Sequence, residues 1–183
     1  MKVWIPLPLC LCLCIMPGVH AQELSAFIGA YNPGSELTGT DFDAGALFGF
    51  RFEQPLLPHI STEFSYTVVN NLVDTRKNFE GKAHLINGNV LLQIPVRKVI
   101  PFATVGIGGL VSGDTSQILR LKKGFAWNAG GGVKIPKLFG PLGGRVDVRF
   151  YKVPDGVELP TAQLRQVDFD FAEVSAGIFL SLR

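Results

Sequence analysis

Between Gly143 and Lys152 the chain alternates strictly, with Val146, Val148 and Phe150 on one parity and Arg145, Asp147, Arg149 and Tyr151 on the other. A β-strand built on that pattern has one apolar face and one charged face. The same period recurs along the chain and predicts seven more strands. Ala44 to Glu53 sets Ala46, Phe48, Phe50 and Phe52 against Gly45, Leu47, Gly49, Arg51 and Glu53, and Ile60 to Val69 sets Phe64, Tyr66 and Val68 against Ser61, Glu63, Ser65 and Thr67. Lys82 to Ile94 opposes Val90, Leu92 and Ile94 to Asn87, Asn89, Leu91 and Gln93, and Ile100 to Val111 opposes Ala103, Val105 and Ile107 to Thr104, Gly106 and Gly108. Gly124 to Ile135 opposes Phe125, Trp127, Ala129 and Val133 to Asn128, Gly130, Gly132 and Lys134, and Phe169 to Leu182 opposes Val174, Ala176, Ile178 and Leu180 to Glu173, Ser175, Gly177 and Ser181. Glu23 to Tyr31 also reads as a strand, but both of its parities carry apolar residues and its faces stay unassigned. No stretch of comparable length has helical spacing, so the predicted domain is all-β.

The connections alternate too. Those after the second, fourth and sixth strands are short and contain proline (QPLLPH, PVRKV, PKLFGPL), while those after the first, third, fifth and seventh are longer and polar. An up-and-down meander gathers the two sets at opposite ends. The expected fold is therefore an eight-stranded antiparallel up-and-down barrel with one tight rim and one rim of long loops, the asymmetry of transmembrane barrels.

Which parity faces outward decides the class. A soluble barrel with the apolar parity inside would present rows of Gly, Ser, Ala and Asn to water, where glycine weakens a strand without packing anything. The opposite orientation gives the same residues a use. Phe, Val, Ile and Leu meet a hydrocarbon band about 25 Å tall, closure satisfies the backbone as hydrocarbon requires, and small inward residues leave room in a narrow bore. Seven charged residues are then expected to face one another across that bore: Arg51, Glu63, Lys134, Arg145, Asp147, Arg149 and Glu173. A transmembrane β-barrel is the expected class, with a soluble, lipocalin-like carrier of an apolar ligand as the rival.

Composition agrees with strands rather than helices. Only 17% of residues are charged, and glycine and phenylalanine number 21 and 14. The first residues, MKVWIPLPLCLCLCIMPGVHA, place Lys2 before an apolar run and small residues before Gln22, the layout of a secretory signal peptide. The expectation is a signal peptide over 1–21, cleaved after Ala21, and a barrel domain over 22–183. All three cysteines, Cys10, Cys12 and Cys14, lie in that leader, so the mature chain is expected to hold neither a disulfide nor a thiolate metal site. A net charge of +2 with no basic stripe argues against a nucleic-acid partner.

The stretches IPFATVGIGGL, FAWNAGGGVKIP and GGRVDVRFY, adjacent and in this order, resemble the small OmpA-like or opacity-type outer-membrane β-barrel family of Gram-negative bacteria. The resemblance implies an integral outer-membrane protein inserted by the barrel-assembly machinery. The orientation and the long loops lead to an expectation of contact with outer-membrane lipid and lipopolysaccharide and of a structural or surface-interaction role. A monomer without cofactor is expected. The chain departs from the family in its last residues, Leu182-Arg183, where an aromatic residue is usual.

Three patterns invite chemistry. His59, Ser61 and Glu63 in HISTE resemble the His-x-Ser of outer-membrane lipid A deacylases, but alternate residues on a strand sit about 6.6 to 7 Å apart, beyond hydrogen-bond reach. His84 has no second ligand at metal spacing, and the glycines of GIGG and GGG open no helix as a phosphate cradle would. No catalytic, cofactor or metal site is expected. The bore charges have two readings, a paired plug or the lining of a narrow channel for ions or small solutes, and an eight-strand width favours the plug. The loop cations Arg76, Lys77, Arg120, Lys122 and Lys123 read by default as solvated loop charges, and in the expected orientation they would sit near lipopolysaccharide phosphates.

Overall fold

The computed structural model describes residues 22–34, 44–74, 79–112, 120–121, 124–159 and 165–182. The leader expected over 1–21 lies outside them, as do the loop cations Arg76, Lys77, Lys122 and Lys123. Of Arg120 only the backbone is described.

Period-two alternation produces strands wherever it was read, and they are longer than the alternation alone suggested. They are β1 (Gln22–Pro33), β2 (Gly45–Leu57), β3 (Ile60–Asp74), β4 (Phe79–Gln93), β5 (Ile100–Ser112), a two-residue β6 (Arg120–Leu121), β7 (Gly124–Phe139), β8 (Leu142–Leu159) and β9 (Arg165–Leu182). Each of the eight long strands pairs antiparallel with its two neighbours, and β1 closes on β9 from Gln22 opposite Leu182 to Pro33 opposite Phe171. The molecule is thus a closed eight-stranded antiparallel barrel. Closure leaves no long strand with an open edge.

The largest extension concerns the segment from Pro154, read from sequence as a polar loop. β8 instead runs on to Leu159, β9 begins at Arg165, and the two keep pairing through Val157 opposite Val167. β6 accompanies the outer part of β8, with Arg120 opposite Glu158 and Leu121 opposite Val157, and so continues the path of β7. Ladder hydrogen bonding between adjacent antiparallel strands carries the sheet past the point where apolar alternation ends.

At the other rim the connections are tight. Pro58-His59 joins β2 to β3 and Gly140-Pro141 joins β7 to β8. Between β4 and β5, Val96 and Val99 exchange backbone hydrogen bonds of 2.8 and 3.0 Å. The register shifts beside two of these turns, between Pro55 and Leu57 and between Ile135 and Phe139. Proline supplies no ladder donor at Pro55 or Pro136, and the shifts fall where those donors are missing.

Alternation separates two environments. On β8, Val146, Val148 and Phe150 are 52%, 41% and 61% exposed, while the interleaved Arg145, Asp147 and Arg149 are 3%, 0% and 0%. The outer wall continues with Leu24, Ile28, Phe48, Phe50, Phe64, Val105 and Ile107, all exposed. The inward parity differs from the sequence expectation near the long loops. There it carries a buried apolar cluster, including Tyr31, Leu47, Leu85, Leu110, Tyr151 and Phe171, rather than small and charged residues. A bore this narrow is filled by its side chains, and toward the long loops that filling includes the apolar cluster beside buried polar residues such as Thr67 and Asn87. Phe171 stacks on Tyr151 with ring centroids 4.7 Å apart and meets Tyr31 edge-on at 6.1 Å.

Candidate functional site

Below the apolar cluster the bore holds an ion-pair lattice built by strands that are not neighbours. Asp147 of β8 is its hub. Arg145, two residues earlier on the same face, donates to both of its oxygens at 2.8 Å. Arg149, two residues later, donates to Oδ1 at 2.9 Å, and Arg51 of β2 donates to Oδ2 at 3.0 Å. A single carboxylate thereby accepts from three guanidinium groups, the charge-assisted geometry that arginine's planar fork supplies.

The remaining carboxylates complete the lattice across the bore. Arg51 reaches Glu173 of β9 at 2.7 Å and Ser175 Oγ at 3.1 Å. Glu63 of β3 lies 2.7 Å from Arg145 and 2.9 Å from Arg149, and Asn89 donates to it at 2.9 Å. Asn128 extends this chain by donating to Asn89 at 2.9 Å. Nearer the short-turn rim, Lys134 pairs with Glu23 at 2.7 Å and with Glu53 at 2.5 Å. All seven residues singled out from sequence point into the bore, where Arg51, Glu63, Arg145, Asp147, Arg149 and Glu173 form one connected group. Lys134 joins it through Glu53, which lies 3.5 Å from Arg145.

Glu23 and Glu53, the partners of Lys134, were not among those seven. Glu53 shares the parity of Arg51 on β2 and was legible as an inward residue, whereas the faces of β1 gave no cue for Glu23. Phenylalanines on the inward parity were missed as well. The Arg51 guanidinium lies 3.7 Å from the Phe27 ring centre and that of Arg145 lies 4.5 Å from Phe102. Lys134 Nζ stands 5.9 Å from the rings of both Phe102 and Phe179. These rings give the cations a polarisable wall in place of water.

Two glycines make room for that wall. A Cβ on Gly132 would lie 2.7 Å from the Phe102 ring, and one on Gly143 would lie 2.1 Å from the ring of Phe179. Aromatic rings lying over strand glycines fill the bore without widening it.

The residues considered for catalysis are not assembled. His59 is exposed in the turn, its Nδ1 3.1 Å from the Gln93 carbonyl oxygen. Ser61 is buried and accepts from Gln93 Nε2 at 2.8 Å, and Glu63 is committed to two arginines. His84 lies on the outer wall with Nδ1 2.7 Å from the Tyr66 hydroxyl. Among the described residues no group of three His, Cys, Asp or Glu side chains is placed to hold a metal ion.

No family model matches the sequence, and no curated protein matches it. Solved structures do match the fold. Neisserial surface protein A (NspA) superposes with a TM-score of 0.63 at 12% identity, over 88% of this chain and 97% of that one. The outer membrane protein AlkL in DMPC lipid bilayers gives 0.55 at 10% identity, over 100% of this chain and 97% of the other. The outer membrane enzyme PagL gives 0.50 at 15% identity, over 86% and 98%. At such identities the likeness speaks for architecture: the chain has the closed eight-stranded β-barrel fold found in small outer-membrane proteins.

Proposed function

We propose that the protein is an integral outer-membrane barrel with a structural or surface-interaction role, exercised through the long connections at one rim. One observation carries this reading. The apolar parity faces outward around the barrel while the charged parity is sealed inside, so the wall suits acyl chains and not water. In a soluble carrier the two parities would be exchanged.

The interior supports a plug rather than a conduit. Buried cations and carboxylates are matched across the bore, Phe102 and Phe179 pack beside them toward the short turns, and an apolar cluster fills the long-loop end. An apolar constriction resists the passage of hydrated ions. Catalysis is not proposed, because His59, Ser61 and Glu63 each have other partners. The barrel fold also serves an enzyme, so that conclusion rests on those three side chains.

Partners follow from the same reading. The wall contacts outer-membrane lipid, and the outward residues Lys82 and Lys152 near the long-loop rim meet lipopolysaccharide phosphates there. The barrel-assembly machinery inserts the chain after export and removal of residues 1–21, leaving Gln22 as the first residue. Fractionation tests the whole reading. The protein is expected in the outer-membrane fraction, extracted only by detergent, with a mobility on denaturing gels that changes on heating. Recovery of the mature chain in detergent-free periplasm would refute it.

A further inference from the structure

At the short-turn rim every exposed charged side chain among the described residues is a cation: Arg97 and Lys98 in the β4–β5 turn and Lys137 before the β7–β8 turn. The nearest carboxylates, Glu23 and Glu53, are turned onto Lys134. At the opposite rim the signs are mixed, and Lys152 stands 3.6 Å from Asp170. The three cations are flanked by large exposed apolar side chains, among them Val96 at 48%, Leu138 at 49% and Phe139 at 75%. Turns that met only water would have no use for such residues. A flexible basic side chain beside outward-facing aliphatic or aromatic neighbours is the arrangement of a membrane interface.

A second observation concerns the backbone. Among the described residues only two that are not glycine adopt positive φ, and both belong to this set: Arg97 at 55° and Lys137 at 57°. Gly140, in the β7–β8 turn that follows Lys137, has φ 63° and shows the residue that normally occupies such a position, while Lys137 itself lies at the register shift near the end of β7. A two-residue hairpin loop with positive φ at its first position favours glycine, asparagine or aspartate, and a left-handed conformation is strained for a long side chain. Strained positions cluster at binding and switch sites. Here the feature common to both is a positive charge at the rim.

We propose that Arg97, Lys98 and Lys137 form a phosphate-binding rim that engages anionic phospholipid headgroups in the leaflet on the short-turn side. The inference rests on the membrane reading above and adds the lipid chemistry that this end of the barrel selects. Apolar turn residues enter the headgroup boundary, and the cations reach the phosphodiesters around it. Each engaged cation favours an anionic surface by about fivefold, and the preference falls with added salt.

The test uses the full protein, extracted in neutral detergent and reconstituted into phosphatidylcholine vesicles containing spin-labelled phosphatidylglycerol or spin-labelled phosphatidylcholine. The readout is the ratio of motionally restricted label. The wild-type protein is expected to restrict phosphatidylglycerol severalfold more strongly than phosphatidylcholine. Arg97→Gly/Lys98→Gln/Lys137→Gly is expected to bring the ratio close to one while its folded fraction in neutral detergent is unchanged, since glycine suits both positive-φ positions. Lys82→Gln/Lys152→Gln is expected to keep most of the preference. A preference that survives the triple variant, or a wild-type ratio of one, would assign the rim to another occupant, such as a second copy or a protein surface, and overturn the proposal. Absence of restricted lipid of either kind would instead show that the barrel does not enter bilayers, and the membrane reading itself would fall.

Discussion

Asp147 accepts from Arg51, Arg145 and Arg149 in a site closed to water, so it is the residue whose loss leaves most charge uncompensated. Removing one partner of a buried ion pair costs about 3–5 kcal/mol. Asp147→Asn is accordingly expected to lower the unfolding free energy, measured by urea titration in detergent, by an amount in that range. Asp147→Asn/Arg149→Gln is expected to cost less than the two single changes together, with a coupling of about 0.5–3 kcal/mol. Measured additivity would mean that the pair contributes independently and that the lattice is not cooperative. Inward placement of these charges was legible because Arg145, Asp147 and Arg149 share a parity opposite Val146 and Val148. Their partners were not. Arg51 meets Glu173 and Arg149 meets Glu63 across strands that share no ladder, and alternation within one strand carries no information about which residues face each other across a bore.

Each strand behaves as a ruler set between two surroundings, and the wall of β8 gives the gradation. Val148 stands near the middle of the apolar band and Leu142 at its short-turn end. An arginine facing hydrocarbon costs about 2–4 kcal/mol at mid-depth and about 0–1 kcal/mol near the interface. Val148→Arg is therefore expected to destabilise the barrel folded in vesicles far more than Leu142→Arg, as read from unfolding midpoints. Equal effects would count against hydrocarbon around β8. Strand identity was legible because an apolar outer face and a charged inner face give alternation its greatest contrast. It weakened where the contrast did. The faces of β1 were unreadable because its inward Phe27 and Tyr31 are as apolar as its outward Leu24 and Ile28, a result of the apolar filling at the long-loop end. The outer extensions of β8 and β9 were missed because polar residues there keep the ladder without keeping the pattern.

For the whole molecule, a filled interior sets the permeability. In planar bilayers the protein is expected to produce no discrete conductance steps, with Arg149→Ala as the variant that removes a bulky charge from the bore. Regular unitary currents from the wild-type protein would show that the bore is open. The barrel as a fold, with its first strand closing on its last, was legible from seven alternating segments, one ambiguous one and connections of two lengths, but the register of that seam was not, because the faces of β1 could not be assigned. That seam has a consequence for biogenesis. Gln22 hydrogen-bonds beside Leu182, so the earliest-made strand waits for the latest, and until then two unpaired margins stay available to neighbouring polypeptides. Completion of the barrel is therefore an event that no local hairpin can supply, since it joins strands about 150 residues apart in the chain.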